Sequence, residues 1–529
     1  MTIPTHLPAP EMETAAQQPA LDFGSLAGIK KLMVIHSDLY VRNYIQSGIL
    51  STLMDEAFYF IASQDVKLKA DLEALPNFLG YYQYSKAETQ RHQFFANVWL
   101  RRYKDRSSTF QFRCHRLDVK LQEKFSQATL STSKTFQRIR RLLNWLPSPS
   151  LADAVTLPLA RLLRLFSLSS ADRQTFFSAL FGSTVMIRLY TWFFETFTWP
   201  NTHLEDHIRK IGPDVVLFPF QALDEPGLDL VRLQKKFPFK TLYMIENWDN
   251  LSSKTVFRYK PDYLTVWGQQ SVEHAVSIHE FPVERVVKIG TPRFQAYYEA
   301  LALADRGGPL PPSPYPFKYI LFAGYSWAFD EMTALHALDE VLALLQEQTP
   351  EPLKIVYRPH PWRFKRSCPD MFYPEDFKHV VLDEQLKDIY YNPVRGSYHQ
   401  PDLAYYPRLL LNAEMAVGGL TSLMIELAIC RKKLLVLGYD DGIHLTNLAN
   451  AMKYNKHYEH IETVPGLEFV WDFQKLASKF EAMLQSDSSV LNWEEQREKV
   501  RYYHYDDELT YPERLQQVLR KVIQANSAL

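Results

Sequence analysis

Val417-Gly-Gly-Leu-Thr-Ser-Leu-Met-Ile-Glu426 decides how the chain is read. A short apolar run ends in two glycines, a pair of hydroxyl residues follows, and an apolar stretch with helical spacing begins. That is a strand, a tight turn and a helix start. Such turns belong to parallel α/β sheets, whose ligands bind beyond the carboxyl ends of the strands. Gly418 and Gly419 are expected to let a ligand come close to the backbone. Thr421 or Ser422 is expected to cap the helix, whose free amides and positive dipole end suit a phosphate. Glu426 lies one turn beyond Ser422 on the same face and can accept hydrogen bonds from vicinal ribose hydroxyls. The plain alternative is a capped helix with an outward glutamate.

The same alternation continues on both sides. Strands are expected at Tyr319–Ala323, Lys354–Tyr357, His379–Leu382, Leu409–Leu411 with Met415–Val417, and Lys433–Leu437. Helices are expected at about 330–347, 421–430 and 472–486. Tyr357-Arg-Pro-His-Pro361 follows one strand, and its prolines deny the loop a helix or a sheet. Arg358 can pair with a phosphate there, and His360 can donate to one or carry a proton. A strand-end turn with a surface histidine is the alternative. In Gly324-Tyr-Ser-Trp327, Gly324 and Ser326 can add amides to a phosphate site and Trp327 can stack on a base. Asp440, in Tyr439-Asp-Asp-Gly442, either lines the donor pocket or sits in a simple turn.

Upstream lies Gly307-Gly-Pro-Leu-Pro-Pro-Ser-Pro-Tyr-Pro316, which reads as a linker. Before it, strands are expected at Lys31–Ile35, Ala57–Ala62, Pro213–Phe218, Lys240–Ile245, Asp262–Trp267 and Val286–Ile289. Helices are expected from about Tyr40 to Glu56, Leu228 to Phe237 and Ser271 to Ile278. The expected fold class is therefore α/β, with two Rossmann-like domains facing a central cleft. The first domain spans 28–300 with a helical insertion at about 95–205. A linker at 301–317 leads to the second domain, 318–487. Helices in 488–529 are expected to pack back on the first domain, and residues 1–27 read as a disordered leader.

Polar clusters also follow strands of the first domain. His36 and Asp38 come after Lys31–Ile35, and Arg42 opens the next helix. Glu246-Asn-Trp-Asp-Asn250 and Lys254 come after Lys240–Ile245. Asp38 and Asp249 are rival bases for an acceptor hydroxyl. Asp249 can equally cap a helix starting near Leu251. His36, Arg42, Trp248, Asn250 and Lys254 are candidates for the acceptor side, with Arg293 at the crossing between domains.

Composition narrows the chemistry. The 529 residues carry 59 Lys+Arg against 60 Asp+Glu, a net charge of -1, so the chain is not built around nucleic acid. Arg101–Arg141 is locally basic, with twelve Lys/Arg against three acids. It reads as a solvated helical face or as a surface for anionic lipid or a lipid-linked acceptor. Cys114, Cys368 and Cys430 stand far apart, which argues against a disulfide framework and a structural zinc and makes a reducing cytoplasm the default. No apolar run of about 18 residues occurs. The nearest, Val185 to Trp199, is broken by Arg188 and Glu195. There is no secretory signal, Asp-x-Asp pair, P-loop or Gly-x-Gly-x-x-Gly after the first strand. No metal or cofactor is expected, and a donor diphosphate would be met by helix amides, Arg358 and His360.

On these residues the second domain, about 318–485, resembles GT-B glycosyltransferases that build bacterial surface polysaccharides. Arg358–Pro361 and Gly418–Glu426 are similar to donor-site motifs of capsule-type transferases and CDP-glycerol glycerophosphotransferases. UDP-N-acetylglucosamine 2-epimerases share the architecture and a comparable helix-start glutamate. Trp248–Lys254 and Lys288–Arg293 look like bacterial surface-carbohydrate proteins of this type. The resemblance spans roughly 29–60 and 205–485. It implies Glu426 on a donor ribose, Ser422 and the helix start on its phosphate, and His360 nearby. The expected activity is metal-independent transfer of a sugar from a nucleotide-activated donor to a hydroxyl of a surface glycan or lipid-linked acceptor, in the cytoplasm at the inner membrane face. A nucleotide-sugar epimerase and a non-catalytic membrane-surface scaffold are the alternatives.

Overall fold

The computed structural model describes residues 26, 28–127, 182–222, 224–325, 329–347, 351–360, 371–391, 402–444, 448–487 and 491–527. Ser326, Trp327, Cys368, nearly all of the expected leader and the insertion residues 128–181 lie outside the described residues.

Two parallel sheets carry the fold. The first contains β1 (Lys31–Ile35), β2 (Phe58–Ser63), β3 (Phe78–Tyr82), β4 (Val215–Phe220), β5 (Lys240–Ile245), β6 (Tyr263–Val266) and β7 (Val286–Lys288). Its order is β3-β2-β1-β4-β5-β6-β7. The second contains β8 (Lys318–Ala323), β9 (Leu353–Arg358), β10 (Val380–Leu382), β11 (Ala416–Gly418), β12 (Leu434–Leu437) and β13 (Leu467–Val470), ordered β10-β9-β8-β11-β12-β13. Every residue of β1 and β4 is buried. Helices cover both faces of each sheet, so the central strands are continuous apolar runs without polar alternation. Chain order reverses beside β1 and β8, where β4 and β11 pair with them. Loops diverge at such switch points and leave a crevice.

Two expectations about elements fail. Leu409–Leu411 is the end of a helix, Tyr405–Leu411, and not a strand. All three leucines are buried, and a short run that is apolar all round has no period to separate helix from strand. The helix expected from Tyr40 to Glu56 is only a turn, Asp38–Tyr40, continued by a π-helical turn, Val41–Gln46. Strands β3 and β13 lie at sheet edges. Gly80 and Glu468 interrupt their apolar runs and hide them in the sequence.

Between β3 and β4 the described residues form the helices Lys86–Arg102, Ser108–Gln127, Thr184–Phe197 and Thr202–Ile211. The first begins with a capping box between Ser85 and Glu88. The third buries Ile187, Thr191 and Phe194 and exposes Val185, Leu189, Trp192, Phe193 and Phe197. Among the described residues no helix is long and apolar enough to cross a membrane.

The chain crosses between lobes twice, first through Pro292–Phe294 and the helix Gln295–Asp305. It returns after the helix Trp493–Arg501, which packs on Leu423–Ile429 of the second lobe and not, as expected, on the first. Only Tyr511–Ser527 lies on the first sheet, where Leu515, Val518, Leu519 and Val522 join Met33, Leu217 and Met244. In the return segment, Gln270 N donates to the Tyr502 carbonyl at 2.8 Å and Tyr505 N to the Trp267 carbonyl at 2.7 Å. Thr291 N donates to Nε2 of the buried His504 at 2.9 Å. A Cβ on Gly290, whose φ is +76°, would stand 2.6 Å from that nitrogen.

Gly290→Ala therefore combines positive-φ strain with a clash against a buried ring. It is expected to cost about 2 kcal/mol or more. Gly307→Ala is the control, because Gly307 also has positive φ (+84°) but has nothing within 4 Å of its would-be Cβ. Comparable loss of thermal stability in the two variants would refute the packing argument.

Buried histidines make a second prediction. Burial pushes His274 and His279 down to about 3 and His457 to about 4. Burial also lowers His504 well below its ordinary value. The unfolded chain takes up these protons near pH 6.5, while the folded chain resists them. Their contribution is complete above that pH and is lost below it at roughly 1.4 kcal/mol per pH unit for each histidine. Glu246, pushed by burial up to about 7, works in the opposite direction and offsets one of them. The urea midpoint should fall clearly between pH 6.5 and 5; a constant midpoint contradicts the burial argument.

Candidate functional site

A cavity of about 820 Å³ lies between the lobes at the carboxyl ends of both sheets. The first lobe contributes Arg42, Asn247, Trp248, Asp249 and Lys254, and the crossing contributes Arg293 and Tyr297. The second contributes Gly324, Arg358, His360, Leu420–Leu423, Glu426, His457 and Tyr458. One face of the insertion helix Ser108–Gln127 closes the wall with Thr109, Phe112, Arg113, Arg116 and Leu117.

On the second lobe, Ser422 is the residue before the helix Leu423–Ile429, but its side chain caps no amide. Thr421 Oγ1 accepts from Leu423 N at 3.3 Å. The paired glycines serve protein packing. A Cβ on Gly419 would stand 2.1 Å from the Tyr325 ring, and one on Gly418 would stand 3.1 Å from the Ala323 carbonyl oxygen. Neither lines the cavity, so the expected ligand approach to them is corrected. Gly324 does line it, and packs so closely that its Cβ would meet His360 N at 2.7 Å.

Glu426 faces the cavity already engaged. Arg293 Nη2 donates to it at 3.2 Å and Tyr297 Oη at 2.8 Å. Arg358 reaches the cavity wall but turns its guanidinium onto Asp383 and Gln385 and packs over Tyr405 and Tyr406. A buried guanidinium needs a partner, and Asp383, fully buried, supplies the charge. Its first task is therefore to hold the loop after β9, with any phosphate contact secondary.

On the first lobe, Asp249 directs its carboxylate to Lys254 Nζ at 2.6 Å and makes no cap bond. Burial alone would raise its pKa, but Lys254 and His457 hold it below the usual carboxylate value. It is thus an anion at neutral pH. His457 Nδ1 lies 3.0 Å from Ser252 Oγ, and its ring is neutral at pH 7. Trp248 packs edge-on against His457, Tyr458 and Tyr503, joining the lobes.

Several expected site residues lie off the wall. Asp38 accepts from the amides of Lys67 and Leu68 at 2.7 and 3.0 Å, so it fixes a loop. His36 pairs with Glu225 at 2.9 Å. Asn250 is fully buried under the wall, and Asp440 accepts from Gly442 N in an exposed turn. Side chains that follow a strand can turn toward the sheet as easily as toward the cleft, and spacing alone does not separate the two.

The sequence reading missed Arg113, Arg116 and His457 as wall residues. A signal for the two arginines was present. Thr109, Phe112, Arg113, Arg116 and Leu117 follow the i, i+3, i+4, i+7, i+8 spacing of a buried stripe. Arg113 in such a stripe marks a face turned toward the protein, with Arg116 at its exposed edge. Among the described residues no group of three His, Cys, Asp or Glu side chains is placed to hold a metal ion.

Two Rossmann-like domains whose switch points face one another across a cavity define the GT-B architecture. Solved structures with this layout are similar to the chain. One is the UDP-GlcNAc 2-epimerase from Methanocaldococcus jannaschii, at 12% identity over 92% of this chain and 99% of that one, TM-score 0.45. Another is the UDP-GlcNAc 2-epimerase from Neisseria meningitidis bound to UDP-GlcNAc, at 10% identity over 93% and 100%, TM-score 0.44. The wall teichoic acid polymerase TagF matches at 14% identity over 59% and 73%, TM-score 0.34. No protein-family model matches the sequence. No curated protein matches it.

The buried pair Arg293–Glu426 yields a direct test. Arg293→Ala leaves a buried carboxylate with only the Tyr297 and Ser422 hydroxyls as donors among the described residues and should cost about 3 kcal/mol. Adding Glu426→Gln removes that charge, so the double variant should recover part of the loss. Strict additivity in urea unfolding would show that the pair does not couple.

Proposed function

We propose that the chain is a nucleotide-sugar enzyme, and specifically a glycosyltransferase acting in the central cavity. The observation that carries this reading is the charge of the wall. Among the described residues it holds six basic side chains (Arg42, Arg113, Arg116, Lys254, Arg293 and Arg358) against two acids, Asp249 and Glu426, with Asp383 behind the wall on Arg358, in a chain of net charge -1. Positive potential gathered in a cleft with low-dielectric walls suits a diphosphate. At about 820 Å³ the cavity lies high in the usual range for small-molecule sites, which leaves room for a second ligand beside a nucleotide sugar.

In this reading the donor lies along Leu420–Leu423, with its ribose toward Glu426 and its diphosphate toward the amides of that loop and His360. The acceptor hydroxyl lies by Asp249. Its oxygen attacks the anomeric carbon, the bond from that carbon to the diphosphate breaks, and the hydroxyl proton passes to the Asp249 carboxylate. The nucleoside diphosphate departs with the electron pair, stabilised by the amides of the Leu420–Leu423 loop, by His360 and, secondarily, by Arg358. Ion pairing with Lys254 keeps Asp249 ready as an acceptor of hydrogen bonds. A surface or lipid-linked glycan as acceptor, at the inner membrane face, is supported by the exposed aromatic face of Thr184–Phe197, which suits an interfacial environment.

A second reading, epimerisation of a nucleotide sugar, is favoured by one observation. Carboxylates and histidines from both lobes (Asp249, Glu426, His360 and His457) meet in one cavity, as removal and return of a carbon-bound proton requires.

The test begins with thermal shift against UDP, GDP, CMP, CDP and dTDP. One of these should raise the melting temperature of the wild type, and Asp249→Asn should retain that shift while losing turnover. No shift with any of them would defeat both readings. The matching nucleotide sugar is then supplied alone; formation of a new nucleotide sugar without acceptor selects the epimerase.

A further inference from the structure

The basic stretch of the insertion does more than face solvent. Helix Ser108–Gln127 lines one wall of the cavity and is tied to both lobes. Ser108 Oγ and Thr109 Oγ1 donate to the Tyr454 carbonyl at 3.0 and 3.2 Å, and Lys456 N donates to Thr109 Oγ1 at 2.7 Å. The Phe112 and Tyr454 rings stack with centroids 5.4 Å apart. On the other side, Arg113 Nη1 donates to the Ser253 carbonyl at 2.6 Å and to that of Lys254 at 3.4 Å.

Arg113 is the anomaly. It is a half-buried guanidinium on the cavity wall, and among the described residues no carboxylate lies within 4.0 Å of it. Among the described residues its Nε and Nη2 have no hydrogen-bond partner, and neither is fully buried. The nearby acid, Asp249, is committed to Lys254 at 2.6 Å. The environment works against the charge, since burial lowers the Arg113 pKa. A planar fork of donors held without its counter-ion is suited to a bidentate oxyanion. Arg116 follows one helical turn later on the same wall and adds charge.

We propose that Arg113, assisted by Arg116, forms an anion subsite of the cleft that holds a phosphate or carboxylate of the acceptor. The assignment to the acceptor rests on the reading of the cavity given above, because Arg113 is anchored on the Ser253 and Lys254 carbonyls, in the segment that carries Asp249. The acceptor is thus an acidic or phosphorylated glycan, gripped by an element inserted between β3 and β4.

The experiment uses the full chain and inorganic phosphate as the probe, titrated calorimetrically with and without the nucleoside diphosphate found by thermal shift. Phosphate should bind both forms, and Arg113→Gln should weaken it about tenfold or more while nucleotide affinity changes less than about twofold. Arg113→Lys, which keeps the charge without the fork, should fall between. It serves as the reporter if the glutamine variant does not fold. Phosphate displaced by the nucleotide, with nucleotide affinity also lost in Arg113→Gln, would show that the arginine serves the donor and overturn the proposal. Unchanged phosphate binding in both variants, or none in the wild type, would leave Arg113 a helix anchor only and likewise overturn it. If no nucleotide binds, the functional reading fails separately, and phosphate binding to the ligand-free protein still tests the subsite.

Discussion

Arg293 and Glu426 meet where the chain first passes from one lobe to the other, and their ion pair sets how the two sheets face each other. Arg293 belongs to the crossing and Glu426 to the helix after β11. Tyr297, one helical turn beyond Arg293, donates to the same carboxylate. A charge pair this buried gains little over an apolar contact in stability, but it tolerates few alternative geometries. The return segment is equally constrained. A Cβ on Gly268 would meet the Tyr503 backbone at 2.5 Å, so the two chains run nearly in contact. The lobes are thus held in register on one side by charge and on the other by close backbone packing.

That register brings the ends of β5, β9 and β11 to one cavity, where most charges come in assigned pairs. Lys254 belongs to Asp249, Arg293 to Glu426 and Arg358 to Asp383. Pairing fixes each side chain and lowers the reorganisation that a reacting ligand would demand. Arg113 has no such acidic partner among the described residues, which is why its position matters more than the total charge.

The strands that are buried on both faces were the most legible part of the sequence. Lys31–Ile35 and Lys240–Ile245 read directly, because helices on both sides demand an unbroken apolar run. The edge strands β3 and β13 did not, since a glycine and a glutamate break their pattern. Leu409–Leu411 misled for the opposite reason: it is apolar in all directions, as any segment enclosed by neighbours must be. At the site, the chain order showed which residues follow strands but not which way they turn. Gly419 makes space for Tyr325, Asp38 ties down Lys67 and Leu68, and Arg358 turns back to Asp383. Each of these depends on a partner distant in sequence. The insertion was least legible, because a basic helix facing an internal cavity has the same composition as one facing water.

The attachment of Ser108–Gln127 to Tyr454 and Lys456 adds a further tie between lobes already joined by two chain crossings and by the contacts of Trp248 and Ser252 with His457. Any hinge motion that widens the cavity must break those hydrogen bonds and unstack Phe112 from Tyr454. Opening and reclosing are thereby coupled to the docking of a segment that belongs to neither sheet, and the speed at which bulky molecules exchange with bulk water becomes a property of the insertion.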